Sequence, residues 1–154
     1  MQINISNLSE GTHSYDEAEE ARSLGLNENF TGQVTVHITL EKSLNQILAS
    51  VSASVKGIFI CDRCAREYDS IINTSFHSVY SWENDEERGD DDDYFLLLHD
   101  QNIIDVSESV KEYLLLAVPL KHICGRKDCS IPTYETNDDD SIDPRWEKLK
   151  ILKR

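Results

Sequence analysis

The chain has 154 residues, 29% of them charged, and carries a formal charge of −14 at pH 7. A chain of this length is near the common domain size and should bury roughly 70% of its unfolded surface, so one domain over residues 1–154 is expected. So negative a chain is poorly suited to broad docking on nucleic acid, where lysine and arginine must replace the counterions around phosphate, and it contains no apolar run long enough for a membrane span.

The first residues, Met1-Gln2-Ile3-Asn4-Ile5-Ser6, run straight into polar sequence, so no export signal is expected and the protein is placed in the cytoplasm. Residues 2–6 alternate weakly and read as a short strand. Ser14 and Glu17 match a capping box and predict a brief helix, and residues 25–29 read as a turn. From Phe30 the period becomes two, with Val34, Val36, Ile38 and Leu40 on one face and Thr35, His37 and Thr39 on the other. The next strand is the longest, with Ala49, Val51, Ala53, Val55, Gly57, Phe59 and Cys61 on one parity. A third places Tyr68, Ile72, Phe76, Tyr80 and Trp82 on one face, and three such strands joined by short turns should form an antiparallel meander.

Residues 83–93 hold eight acidic side chains against Arg88, a net of −7, and read as a solvated acidic loop. Tyr94 to Leu98 is one more short apolar strand. Asp105 then stands as an N-cap with Glu108 three residues on, and Val106, Val110, Tyr113, Leu114 and Ala117 recur at helical spacing until Pro119. The run Leu114-Leu115-Leu116 makes this helix apolar on more than one side, which favours packing across the sheet. Residues 133–142 form an acidic linker, and Asp143-Pro144 opens a short C-terminal helix with Trp146 and Leu149. Its basic residues give residues 144–154 a net charge of +4, able to touch RNA locally. The expected class is α+β: an antiparallel sheet able to close into a barrel, one long apolar helix and the short C-terminal helix.

The four cysteines carry the chemistry. Cys61-Asp62-Arg63-Cys64 and Cys124 to Cys129 are two closely spaced pairs, each able to grip one side of a tetrahedral ion, and none is left over. In a reducing compartment such a set is better suited to metal than to disulfides, so a structural zinc ion on Cys61, Cys64, Cys124 and Cys129 is expected. His99 and His122 could each replace one thiolate, but a single histidine beside a loop reads first as a surface residue. Two rival readings are a thiol redox protein using Cys61 and Cys64, and a zinc-stabilised interaction module. Redox chemistry wants its first cysteine at a helix N-terminus, whereas here a long strand leads into the pair.

Enzyme signatures are missing from the sequence: no His-x-Glu precedes a Pro-Cys-x-x-Cys, and there is no Gly-rich phosphate loop, His-Glu-x-x-His or Gly-x-Ser-x-Gly. Four thiolates on one zinc would also leave no open position for water. No enzyme activity, catalytic residue or small-molecule substrate is expected.

Several segments together resemble the YceD family, the large ribosomal RNA subunit accumulation proteins: residues 57–64, Ile104-Asp105 leading into residues 110–119, Cys124 and Cys129, and Asp143-Pro144-Arg145-Trp146 before a Leu-Lys-rich end. The resemblance covers residues 30–154, and the first 29 residues match nothing in it. It implies a role in accumulating large-subunit ribosomal RNA, hence ribosome biogenesis, with a suspected zinc-binding cysteine quartet and no known reaction. The partner so implied is a ribosomal protein or a large-subunit rRNA precursor. The charge distribution is compatible with an acidic surface receiving a basic ribosomal protein while the basic tail reaches RNA.

Overall fold

The computed structural model describes residues 1–83 and 93–131, and strands dominate them. In chain order these are β1 (Gln2–Asn4), β2 (Gly11–Glu20), β3 (Phe30–Lys42), β4 (Gln46–Ile60), β5 (Glu67–Ser81), β6 (Tyr94–Leu96) and β7 (Ile103–Asp105), followed by helix α1 (Ser107–Leu116). Five strands form one sheet in the order β2-β3-β4-β5-β6, and β1 pairs with β7 in a separate two-stranded ladder. Neighbours from β2 to β5 run antiparallel, while β6 lies parallel to β5.

The alternation in β3, β4 and β5 is the cause of this layout. Val34, Val36, Ile38 and Leu40 share the buried face with Ile47, Ala49, Val51, Ala53, Val55, Phe59, Ile72, Phe76 and Tyr80. The opposite parity carries serine, threonine, lysine and histidine and stays largely exposed. One such face must be covered, at about 1.5–3 kcal/mol for each large aliphatic side chain fully buried. Ile3 and Ile104 from the small ladder and Val110 and Leu114 from α1 join the same core.

Gly32 allows the sheet to bend. It sits at φ 79, within the register shift between Thr31 and Thr35, and its carbonyl accepts the Ala21 N–H at 3.1 Å. The bulge brings residues 21–30 over the buried face, where Ala21, Leu24, Leu26 and Phe30 complete the core.

Several expectations are corrected. The described fold is mostly β, with a single ten-residue helix among the described residues, so α+β with a long apolar helix does not fit. The segment before Ser107 is held as a strand by the Ile3↔Ile104 pairing, which delays the helix start, and Val106 rather than Asp105 is the N-cap residue. The Asp105 carboxylate still accepts the Ser107 N–H at 2.9 Å. Within α1 only Val110 and Leu114 are buried, and Leu116 is 78% exposed, so the Leu-Leu-Leu run offers one stripe to the core.

The sheet also does not close: β2 and β6 are its two edges and are not paired with each other. Finally, the helix expected from Ser14 and Glu17 is strand β2, in register with β3 from Gly11↔Lys42 to Glu20↔Gln33. Ten residues of ladder outweigh a two-residue local signal. The C-terminal helix, the 133–142 linker and residues 84–92 of the acidic loop lie outside the described residues.

Candidate metal centre

Strand β4 delivers Cys61 directly. Its side chain continues the buried parity of Val55 and Phe59, and the chain then doubles back so that Cys61 N–H donates to Arg66 O at 2.9 Å and Ala65 N–H to Cys61 O at 2.8 Å. Ala65 takes φ 55 to make this turn, a left-handed conformation uncommon for a residue with a Cβ. It lets β5 begin at Glu67 with Cys64 turned beside Cys61.

The second pair comes from the segment after α1. Gly125 at φ 64 turns the chain, and Cys129 N–H donates to Arg126 O at 3.1 Å. Two sets of contacts tie this loop to the first. Asp62 N–H donates to His122 O at 2.8 Å while Asp62 Oδ2 accepts the His122 N–H at 2.6 Å. Arg66 donates to Asp128 Oδ2 at 2.8 Å and to its carbonyl at 3.0 Å, and Arg126 donates to Glu67 O at 3.2 Å.

The result is convergence of all four sulfurs, which lie within 4.8 Å of one another. Cys61 Sγ is 3.7 Å from Cys129 Sγ, and Cys64 Sγ is 3.8 Å from Cys124 Sγ. A disulfide needs about 2.05 Å, and all four are free thiols. Thiolates bonded at about 2.3 Å to one tetrahedral ion stand roughly 3.8 Å apart. The four cysteines could therefore hold a metal ion, and they are the one such grouping among the described residues.

Electrostatics agree with that use. The backbone N–H groups of Cys124 and Cys64, directed at its sulfur, bring the Cys61 thiol down to about 6, and the Arg66 N–H lowers Cys64. Cys129 moves the other way, up to about 12, through burial and then the neighbouring thiols. Four acids this close resist ionising together, and a cation among them would remove the conflict.

Of the two histidines, His99 is exposed in the loop after β6, near Leu44 and Trp82 at the far end of the sheet from the cysteines. His122 is half-buried rather than a surface residue. Its ring stacks on Phe59 with centroids 4.7 Å apart and planes 12° apart, so it positions the second loop. Gly57 is the reason this is possible: a Cβ there would lie 2.6 Å from the Phe59 ring. The Phe59 stack and the Arg66–Asp128 contact lay beyond sequence reasoning, although Gly57 in an otherwise alternating strand was a signal of close approach.

The family comparison matches residues 49–153 to the model described as large ribosomal RNA subunit accumulation protein YceD. The chain belongs to the YceD family. The matched span contains most of β4, all of β5 and α1 and all four cysteines, so the family segment is the one that builds the centre. No curated protein and no solved structure showed significant similarity to the chain. Among the described residues no helix is long and apolar enough to cross a membrane.

A concavity of about 840 Å³ lies elsewhere: a trough across the uncovered sheet face, lined by residues such as Asp16, His37, Ser52 and Ser75. His37 and Asp16 meet at 2.7 Å, but both are well exposed, and such a cross-strand pair contributes little.

Proposed function

We propose that the protein is a non-enzymatic ribosome biogenesis factor that supports accumulation of large-subunit ribosomal RNA, built around a structural zinc ion on Cys61, Cys64, Cys124 and Cys129. The convergence of the four sulfurs within 4.8 Å, with two pairs at the spacing of a tetrahedral site, carries this reading, and the family match supplies its ribosomal part. With four thiolates bound, zinc has no open position for water or substrate, so its contribution is to fix the loops rather than to react. The partner would be a large-subunit rRNA precursor or a basic ribosomal protein, and the compartment the cytoplasm.

The redox alternative is disfavoured by the pairing of the sulfurs. Cys61 and Cys64 approach Cys129 and Cys124, across the two loops, rather than standing apart as an exposed dithiol. Sedimentation of the full chain through a gradient of cell extract tests the ribosomal part. Co-migration with large-subunit precursors is expected, and migration only as free protein would argue for a zinc-stabilised module with no ribosomal tie.

A further inference from the structure

The described residues divide sharply by charge. Arg63, Arg66, Lys121, Arg126 and Lys127 all belong to the two cysteine loops, against Asp62, Glu67 and Asp128 there. Everywhere else in the described residues, acidic side chains outnumber basic ones more than three to one. With four thiolates around a divalent ion the cysteine end would be about neutral, the least acidic part of the described residues in a chain whose total charge is −14.

Part of that positive charge has a structural use. Arg66 grips Asp128 and also lies beside Cys64, and Arg126 donates to Glu67 O. These two would offset the net negative charge of four thiolates around a divalent ion. Arg63, Lys121 and Lys127 are left over: all three are exposed, and no ion pair among the described residues engages them. The Asp62–His122 hydrogen bonds put Arg63 and Lys121 on either side of one junction. Lys127 adjoins the Asp128 that Arg66 holds. All three are therefore presented from loops fixed by the same tie points, at low ordering cost.

We propose that the cysteine lobe contacts the phosphate backbone of RNA through Arg63, Lys121 and Lys127. Three exposed cations that no described ion pair engages, on a lobe without the negative charge of the rest, suit a polyanion, and the acidic remainder of the molecule would turn every other described surface away from it. Contacts of this kind position a protein without reading sequence. The proposal rests on the ribosomal reading above, since that reading supplies the RNA.

The test uses the full chain, a large-subunit ribosomal RNA transcript and the triple variant Arg63→Gln, Lys121→Gln, Lys127→Gln, with metal content and melting temperature checked against wild type. Wild type should bind the transcript, and the triple variant should bind at least about ten-fold more weakly at low salt. Its log-affinity slope against log salt should be shallower by about 2, as expected for three lost phosphate contacts. Equal affinity and slope for the two proteins would overturn the proposal. If wild type co-sediments with ribosomal precursors but does not bind the transcript, the proposal falls and the ribosomal reading stands; if it does neither, both fall. Self-association of wild type that the triple variant loses, without RNA binding, would assign the patch to a second copy of the chain and likewise overturn it.

Discussion

The imidazole of His122 lies flat on the ring of Phe59, centroids 4.7 Å apart, joining the loop that carries Cys124 to the strand that carries Cys61. Gly57 provides the space. A methyl group at position 57 would stand 2.6 and 2.8 Å from two Phe59 ring carbons, so the ring would have to move and the stack with it. Gly57→Ala should therefore destabilise the protein by about 1–3 kcal/mol in urea melts, the usual cost of forcing atoms into a packed site. Phe59→Leu should weaken the second loop's attachment without crowding, seen as faster thiol labelling of Cys124 and Cys129.

Helix α1 gives a contrast between two leucines of one turn. Leu114 is fully buried and Leu116 is 78% exposed. Leu114→Ala should cost about 2–5 kcal/mol through lost burial and the cavity left behind, and Leu116→Ala under about 0.5 kcal/mol. Chemical denaturation of the two variants decides it, and similar costs would mean that α1 buries a wider face.

Tyr80 gives a pH dependence. Burial, followed by the charges of Asp105 and Asp93, raises its hydroxyl to about 12 from an ordinary value near 10. The folded state thus disfavours tyrosinate. The stability associated with the neutral group is fully present below pH 10 and is lost as pH rises through about 12. The loss should be on the order of 2 kcal/mol. Urea melts of wild type and Tyr80→Phe at pH 8 and 11 should show a steeper alkaline loss in wild type. The Tyr80 Oη makes no well-formed hydrogen bond among the described residues and has only the Ser78 hydroxyl nearby, so the substitution should be nearly neutral at pH 8.

What the sequence made legible follows from where water acts. In β3, β4 and β5 one face is buried and the other wet, so Val34 to Leu40 and Ala49 to Cys61 announced their faces through alternation. Strand β2 is an edge with most of its residues exposed, so no apolar period marked it, and the Ser14–Glu17 pattern pointed to a helix instead. The start of α1 was misplaced because the strand pairing of Ile104 with Ile3, a contact between distant segments, decides where the helix can begin.

At the centre, cysteine type and spacing within each pair pointed to a common ion, while their meeting depends on contacts invisible in the linear chain. Arg66 reaches Asp128 across 62 positions, and Asp62 reaches His122 across 60. Nothing about an isolated arginine or aspartate announces such a partner.

The central claim is that one metal ion fixes both cysteine loops, and metal content measured together with stability tests it most directly. Freshly purified wild-type protein should contain about one zinc per chain, and Cys64→Ser should lose it while the melting temperature falls by about 10 °C or more. Wild-type protein without stoichiometric metal, or a Cys64→Ser protein that keeps both its zinc and its stability, would contradict the account.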